Sequence, residues 1–428
     1  MPSGEMDMAS LLLAMIYIAF ISLGLPDSLL GSAWPVMHIE LNASLSSAGV
    51  VTMIISASTI VSSLMSDKLT HKLGTGAVVA ISVLFTAAAM LGFSFSSRFW
   101  MLCVLAVPYG LGAGAIDAAL NNYVALHYSS RHMSWLHCCW GIGATISPYI
   151  MGACLAGASG WAGGFRIVSI VQFAITLLMF IALPLWKNKK AVTLSNVDEK
   201  QIEPVHLSML QVLKKRGVLL VFIAFFSYCA VEQTAMLWAG SYFVQKYDIA
   251  ADQAANYASF IFIGITAGRA ISGFISKKLG DKRLIRLGAS IAIVGIILLF
   301  LPLKTHVCAL VGFIVIGLGC APIYPSIVHS TPGNFGKKYS QSIIGIQMAF
   351  AYLAFTFMPP LFGLIAQYVT ISLLPTFLII FALLMFVLLE INNKLLRRDV
   401  VSAEIEDFEY RPDYTSYSEE TNTNASQD

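Results

Sequence analysis

The chain has 428 residues, of which 57% are hydrophobic and 11% are charged. Soluble domains carry about 25% charged residues, so this composition excludes a soluble protein and indicates an integral membrane protein in a lipid bilayer. The net charge of +3 gives no indication of a nucleic-acid partner, and the seven cysteines show neither metal-ligand spacing nor a secreted disulfide pattern. No cofactor is expected.

Twelve apolar stretches of bilayer-crossing length follow one another along the chain. Their approximate bounds are 10–37, 46–66, 75–97, 99–127, 133–158, 164–186, 217–245, 253–276, 284–303, 307–330, 339–367 and 370–393. We predict an all-α membrane protein with twelve transmembrane helices in two six-helix, pseudo-symmetric bundles. The predicted parts are a first bundle 1–186, a cytoplasmic linker 187–216, a second bundle 217–395 and a disordered acidic tail 396–428.

Basic residues are concentrated at one end of the predicted helices. The linker and the exits of the even-numbered stretches hold nearly all of them, whereas the odd-numbered exits hold only Arg98, Lys246 and Lys304. By the positive-inside rule, both termini are expected in the cytoplasm. The protein is therefore expected to be a multi-pass protein of the plasma membrane.

Three carboxylates fall inside the apolar stretches: Asp27 in the first, Asp117 in the fourth and Glu232 in the seventh. A charged side chain at membrane depth costs at least about 2.5 kcal/mol, so such acids are functional candidates by default. For Asp27 the alternative is a helix end near the lipid headgroups. For Asp117 it is a permanent pair with a neighbouring donor that clamps two helices.

The two halves repeat short motifs. Residues 65–74 after the second helix match 273–280 after the eighth, and residues 109–115 match 316–322. Two similar bundles that face each other leave a central site near the midplane, which is reached alternately from each side as the halves rock.

The basic, glycine-ended loop after helix two, its partial copy after helix eight and the two-half plan resemble the major facilitator superfamily over about residues 10–395. More narrowly, residues 25–30, 112–121 and 136–143 look like the fucose:proton symporter branch. Because His137 stands where the fucose carriers have Gln, fucose itself is not implied.

This resemblance implies specific roles. It assigns proton coupling and sugar recognition to Asp27 and Asp117, although the fucose carriers have Glu at the second position. It also implies a gating network that contains Asp67, Lys68 and Arg269. For Arg269 the alternative is snorkelling toward the membrane surface.

A sugar needs hydrogen-bonding groups for its hydroxyls and flat rings for its C–H faces. Asp117 and Asn121, four residues apart, share one helical face. The predicted substrate-binding residues are Asn121, Asn122, His137, Trp140, Gln233, Trp238, Tyr324 and Gln347. Packing is the alternative for each of them. Three acids without a deeply placed base favour a polar, uncharged substrate over an anion.

The sequence has no Walker-type phosphate loop, and adjacent His137 and Cys138 point about 100° apart on a helix, so neither ATP-driven transport nor an enzyme is expected. We predict a monomeric, proton-coupled importer of a monosaccharide or small oligosaccharide, with Na⁺ as the alternative coupling ion. Asp27 and Asp117 are the predicted coupling pair, and Glu232 is a second-half partner or substrate ligand. The alternative function is a proton-driven exporter of small organic compounds or drugs.

Overall fold

The structure is a computed structural model that describes residues 3–128, 130–187, 209–301, 306–336 and 339–409. Within these ranges the chain forms helices and no strands. A helix satisfies every backbone polar group within one segment, as a chain surrounded by hydrocarbon requires. Twelve spans in the described residues are long and apolar enough to cross a membrane, which confirms the predicted number.

The described part of the first half forms eight helices. They are α1 Ser3–Asp27, α2 Leu29–Glu40, α3 Ser47–Leu73, α4 Thr75–Ser94, α5 Phe99–His127, α6 Ser130–Ala156, α7 Gly160–Ile181 and α8 Leu183–Lys187. Helices α1 and α2 together form the first span, and α8 extends α7 by a short turn.

The described part of the second half also forms eight helices, of which α9 is a single short turn. They are α9 Met209–Leu213, α10 Val218–Tyr247, α11 Ala251–Leu279, α12 Asp281–Phe300, α13 Val307–Cys320, α14 Ile323–Phe335, α15 Ser340–Tyr368 and α16 Leu374–Glu409. A 3₁₀ turn at Ile371–Leu373 precedes α16, and α13 and α14 together form the tenth span.

Two of the apolar stretches that the sequence presents as single helices are broken in the structure. Pro26 has no N–H to donate within the helix, and α1 ends one residue later, at Asp27. In the tenth span, α13 ends at Cys320, and Pro322 precedes the start of α14. The break between α1 and α2 therefore lies beside an acid, Asp27.

The linker and the tail differ in part from the prediction. Helix α16 continues to Glu409, past residue 396 where a disordered tail was expected, because residues 395–409 contain neither glycine nor proline. Within the predicted linker, α9 packs its fully buried Val212 against Phe222 and Ile343. Residues 188–208 and 410–428 lie outside the described residues.

The two halves touch closely at one end of the bundle. We call the end where α8 stops and α10 begins the linker side, and the opposite end the far side. A Cβ added at Gly31 of α2 would lie 2.7 Å from a carbonyl oxygen of α10, and one at Gly49 of α3 would lie 2.5 Å from Cα of Pro360 on α15. The N–H of Ser46 donates to Oε1 of Gln367 at 3.1 Å. These five residues form the far-side seam, where small side chains allow close backbone approach.

Candidate functional site

Asp27 stands at the break between α1 and α2. Its Oδ1 accepts a hydrogen bond from the hydroxyl of Tyr109 on α5 at 2.6 Å, and its Oδ2 accepts one from the indole N–H of Trp140 on α6 at 2.7 Å. The Asp27 side chain is still exposed, so the space around it is open to solvent or a ligand. Because it lies well inside the span Ser10–Glu40, a place among the lipid headgroups does not fit.

Asp117 and Asn121 form a second polar group on α5. The amide of Asn121 donates to Oδ1 of Asp117 at 2.9 Å and to the Asp117 backbone carbonyl at 2.9 Å. Both side chains are half-buried, and the shared face expected from their spacing is therefore confirmed. Oδ2 of Asp117 accepts no hydrogen bond from the part of the chain that the structure describes. Asn122, the next residue, is exposed.

Glu232 on α10 is buried, and its Oε1 lies 3.8 Å from Nη2 of Arg269 on α11. The guanidinium carbon of Arg269 lies 4.9 Å from the ring centroid of Trp140, which in turn donates to Asp27. Oε1 of Glu232 and the hydroxyl of Tyr228, one turn earlier, have no hydrogen-bond partner among the described residues. A run of contacts therefore joins the first-half acid to the second-half acid.

The position of Arg269 does not fit snorkelling to the membrane surface, which was one of the two expectations for it. The other expectation, a gating network near the cytoplasmic Lys277, stays a prediction. The Arg269 side chain is only 16% exposed and lies between Trp140 and Glu232. The inference that no base lies deep among the acids is therefore wrong: Arg269 is that base, and the packing of α10 against α11 brings it there.

Several predicted substrate-binding side chains are accessible around these groups. His137 packs edge-on against Phe20 with ring centroids 5.8 Å apart and is half-buried. Tyr324 on α14 is half-buried, and its hydroxyl donates to the sulfur of Met348 at 3.2 Å. Gln233 is also half-buried. These residues stay predictions as ligands.

The burial of Trp238 and Gln347 favours the packing alternative for both side chains, and their role as substrate ligands stays a prediction. Trp238 is fully buried and donates its indole N–H to the carbonyl of Pro359 at 2.9 Å. Gln347 is fully buried as well, and its Oε1 accepts a hydrogen bond from Thr331 at 3.1 Å. Both side chains belong to the packing of the second bundle.

The predicted gating loop lies at the linker-side end of α3. Lys68 is exposed there, while the side chain of Asp67 lies outside the described residues. Their gating role stays a prediction.

Two residues of the site were missed in the sequence. Tyr109 lies eight residues before Asp117 on α5, and Tyr228 lies four residues before Glu232 on α10. Positions four and eight residues apart share a helical face. A search at this spacing from each acid would have found both.

Two six-helix halves, a first helix broken beside an acid and charged groups from both halves around that break define a class of membrane carriers. The family model described as Major Facilitator Superfamily matches residues 16–340, and the chain belongs to this superfamily. It is a multi-pass transporter.

Relatives and solved structures agree with this assignment. The glucose/mannose transporter GlcP of Bacillus subtilis (strain 168) is 21% identical over 64% of this chain and 67% of its own length. An uncharacterised transporter of Sinorhizobium fredii is 24% identical over 80% of this chain and 88% of its own length. A bacterial homologue of the human lysosomal transporter Spinster, solved in an inward-facing and occupied conformation, superposes with a TM-score of 0.68 at 11% identity. That likeness covers 91% of this chain and 98% of the other.

Proposed function

We propose that the protein is a proton-coupled importer of a neutral sugar. The observation that carries this proposal is the gathering of Asp27, Asp117, Glu232 and Arg269 along helices that contribute to both halves. Three acids and one base favour a neutral or cationic substrate over an anion. The likeness to a glucose/mannose transporter supports a sugar.

Asp117 is the better candidate for reversible proton uptake. Both carboxylate oxygens of Asp27 already accept short hydrogen bonds from Tyr109 and Trp140, and donors of this kind favour the charged form of a carboxylate over the protonated one. Asp117 can take a proton on Oδ2 and keep the Asn121 hydrogen bond on Oδ1. The role of Asp27 is then to hold α5 and α6 against the break in the first helix.

Glu232 and Arg269 supply a place for a substrate hydroxyl. The 3.8 Å between Oε1 and Nη2 is too long for a hydrogen bond. A hydroxyl oxygen at this gap can donate to Glu232 and accept from Arg269, which satisfies two buried polar groups at once. The hydroxyl of Tyr228, also unpartnered among the described residues, gives a second donor nearby.

The distribution of charge supports an orientation with the linker side in the cytoplasm of a plasma-membrane protein. The close contacts of the far-side seam then correspond to a carrier closed toward the outside. The similar Spinster homologue was solved inward-facing, which agrees with this interpretation.

Asp117→Asn tests the coupling role. In inverted or right-side-out vesicles of known orientation, labelled glucose, mannose and other neutral sugars are offered with and without an inward proton gradient. The wild-type protein should accumulate at least one sugar, and a protonophore should abolish this accumulation. Asp117→Asn should still exchange the sugar but not concentrate it, because an amide binds no proton at neutral pH.

Asp281→Asn is the matched control, since Asp281 pairs with the exposed His329 on the linker side. It should transport like the wild type, because this contact lies at the linker side, apart from the acids of the proposed site, and surface pairs contribute little. Accumulation by Asp117→Asn at the wild-type level would remove Asp117 from coupling. Sugar efflux driven by the same gradient would favour the exporter.

A further inference from the structure

The proline in the first span leaves a buried acceptor that another helix must satisfy. In an unbroken helix, the N–H of residue 26 would donate to the carbonyl of Ser22, but Pro26 has no N–H. Ser22 is buried, so its carbonyl has no access to bulk water. An unsatisfied carbonyl here would favour a different course of the chain toward Asp27, which lies five residues further on.

Gln172 on α7 donates to this carbonyl. Its Nε2 lies 2.8 Å from the Ser22 oxygen, and its Oε1 lies 2.9 Å from the hydroxyl of Thr86 on α4. The one proton of that hydroxyl is shared between Gln172 and the carbonyl of Val83, also at 2.9 Å. Since a carbonyl can only accept, the amide nitrogen must face Ser22 and the amide oxygen must face Thr86. Gln172 is fully buried, and both ends of its amide are therefore held in one orientation.

We propose that Gln172 is a positioning residue, and that it acts by fixing where Asp27 lies at the break between α1 and α2. By replacing the missing N–H of Pro26, it fixes the end of α1 so that Asp27 reaches Tyr109 on one side and Trp140 on the other. Thr86 orients the Gln172 amide. This inference concerns the geometry of Asp27 and holds whatever substrate the carrier takes.

The test uses the purified full-length protein in detergent, without substrate, so its failure is distinct from failure of the sugar-import proposal. The reporter is the contribution of Trp140 to the fluorescence, which we call the Trp140 component. For each protein, it is the emission spectrum minus that of the same protein with Trp140→Phe added. Asp27→Ala removes the acceptor of the Trp140 indole and defines the shift that loss of this hydrogen bond produces. Gln172→Leu should shift the component in the same direction, with an unchanged elution volume in size-exclusion chromatography.

Ser169→Ala is the matched control. Ser169 is also fully buried on α7, and it donates to the carbonyl of Ala87 on α4 at 2.9 Å. Residue 91, whose N–H would serve this carbonyl within α4, is Leu91 and not a proline. The Trp140 component should therefore stay at its wild-type position. An equal shift in Ser169→Ala would reduce Gln172 to general packing and overturn the proposal.

Two further variants test the proposal, and the first of them keeps it falsifiable even if Gln172→Leu does not fold. Thr86→Val leaves Gln172 in place but removes its orienting donor, and should give a smaller shift in the same direction. Adding Pro26→Ala to Gln172→Leu restores an N–H for Ser22 and should return the component toward its wild-type position. A wild-type component in Thr86→Val, or no return with Pro26→Ala, would contradict the assignment.

Discussion

At the scale of single residues, the site depends on a charge pair within the second half that lies against an aromatic ring of the first half. Glu232 and Arg269 lie on adjacent helices of the second half, and the guanidinium also covers one face of Trp140 from the first half. A buried ion pair adds little stability compared with apolar residues, but loss of one partner leaves a buried charge uncompensated. We therefore interpret the pair as part of the candidate site and not as a source of stability for the fold.

This asymmetry gives a prediction. Arg269→Gln should lower the free energy of unfolding by about 3 kcal/mol, and the double variant Arg269→Gln with Glu232→Gln should recover most of that loss. Thermal unfolding of the purified protein in detergent measures both. Arg166→Gln is a control, since Arg166 is exposed beside Phe95 and should change the transition little. A double variant no more stable than Arg269→Gln would contradict the pairing.

The sequence predicted the parts of the site that depend on local spacing. Asp27 and Asp117 stand out because charge is rare in apolar stretches, and the contact between Asp117 and Asn121 follows from a four-residue interval. The meeting of Glu232 with Arg269 depends on how α10 packs against α11, which no local pattern encodes. In the sequence, Trp238 and Trp140 look alike, since each is a tryptophan near polar residues in an apolar stretch. Only the burial of Trp238 in the structure indicates a packing role.

At the scale of elements, α9 fixes the end of the linker to the second bundle. Val212 is fully buried among the apolar side chains at the start of α10 and α15, whereas Leu210 on the same short helix is 72% exposed. Nearby, the ammonium group of Lys215 lies 3.6 Å from the ring centroid of Tyr339. Five residues form no stable helix on their own, so this docking holds α9 in place.

Val212→Asp should release α9, because an acid at this position would be buried without a partner. Hydrogen exchange of the amides in residues 209–213 should become much faster, while exchange in the middle of α10 stays unchanged. Leu210→Asp places the same charge on the exposed face and should leave both regions as in the wild type. Slow exchange of α9 in Val212→Asp would mean that the helix is held by other contacts.

At the scale of the whole molecule, the far-side seam determines how closely the two halves approach. Gly49 lies so close to Pro360 that a side chain cannot be added without a backbone shift. Gly345, on the same helix as Pro360, has open space around its Cα and provides a matched position. The twelve-helix plan and the two halves followed from hydrophobic length, whereas the location of this seam did not.

Gly49→Val should therefore favour a conformation that is open on the far side. Overpacking by a few methyl groups costs about 1–3 kcal/mol, which shifts a two-state population by roughly 5- to 150-fold. Spin labels at Ser44→Cys and Tyr368→Cys should report a longer distance in Gly49→Val than in the parent. Gly345→Val should leave the distance unchanged, and an unchanged distance in Gly49→Val as well would contradict a closed seam.

The contacts of the far-side seam are of a kind that can separate and form again. The described contacts are mostly glycine against backbone, with one hydrogen bond that the Ser46 N–H donates to the Gln367 side chain. When these surfaces separate, few polar groups lose a partner, and water can hydrogen-bond to those that do. The free energy needed to part the two halves at the far-side seam is therefore expected to be small.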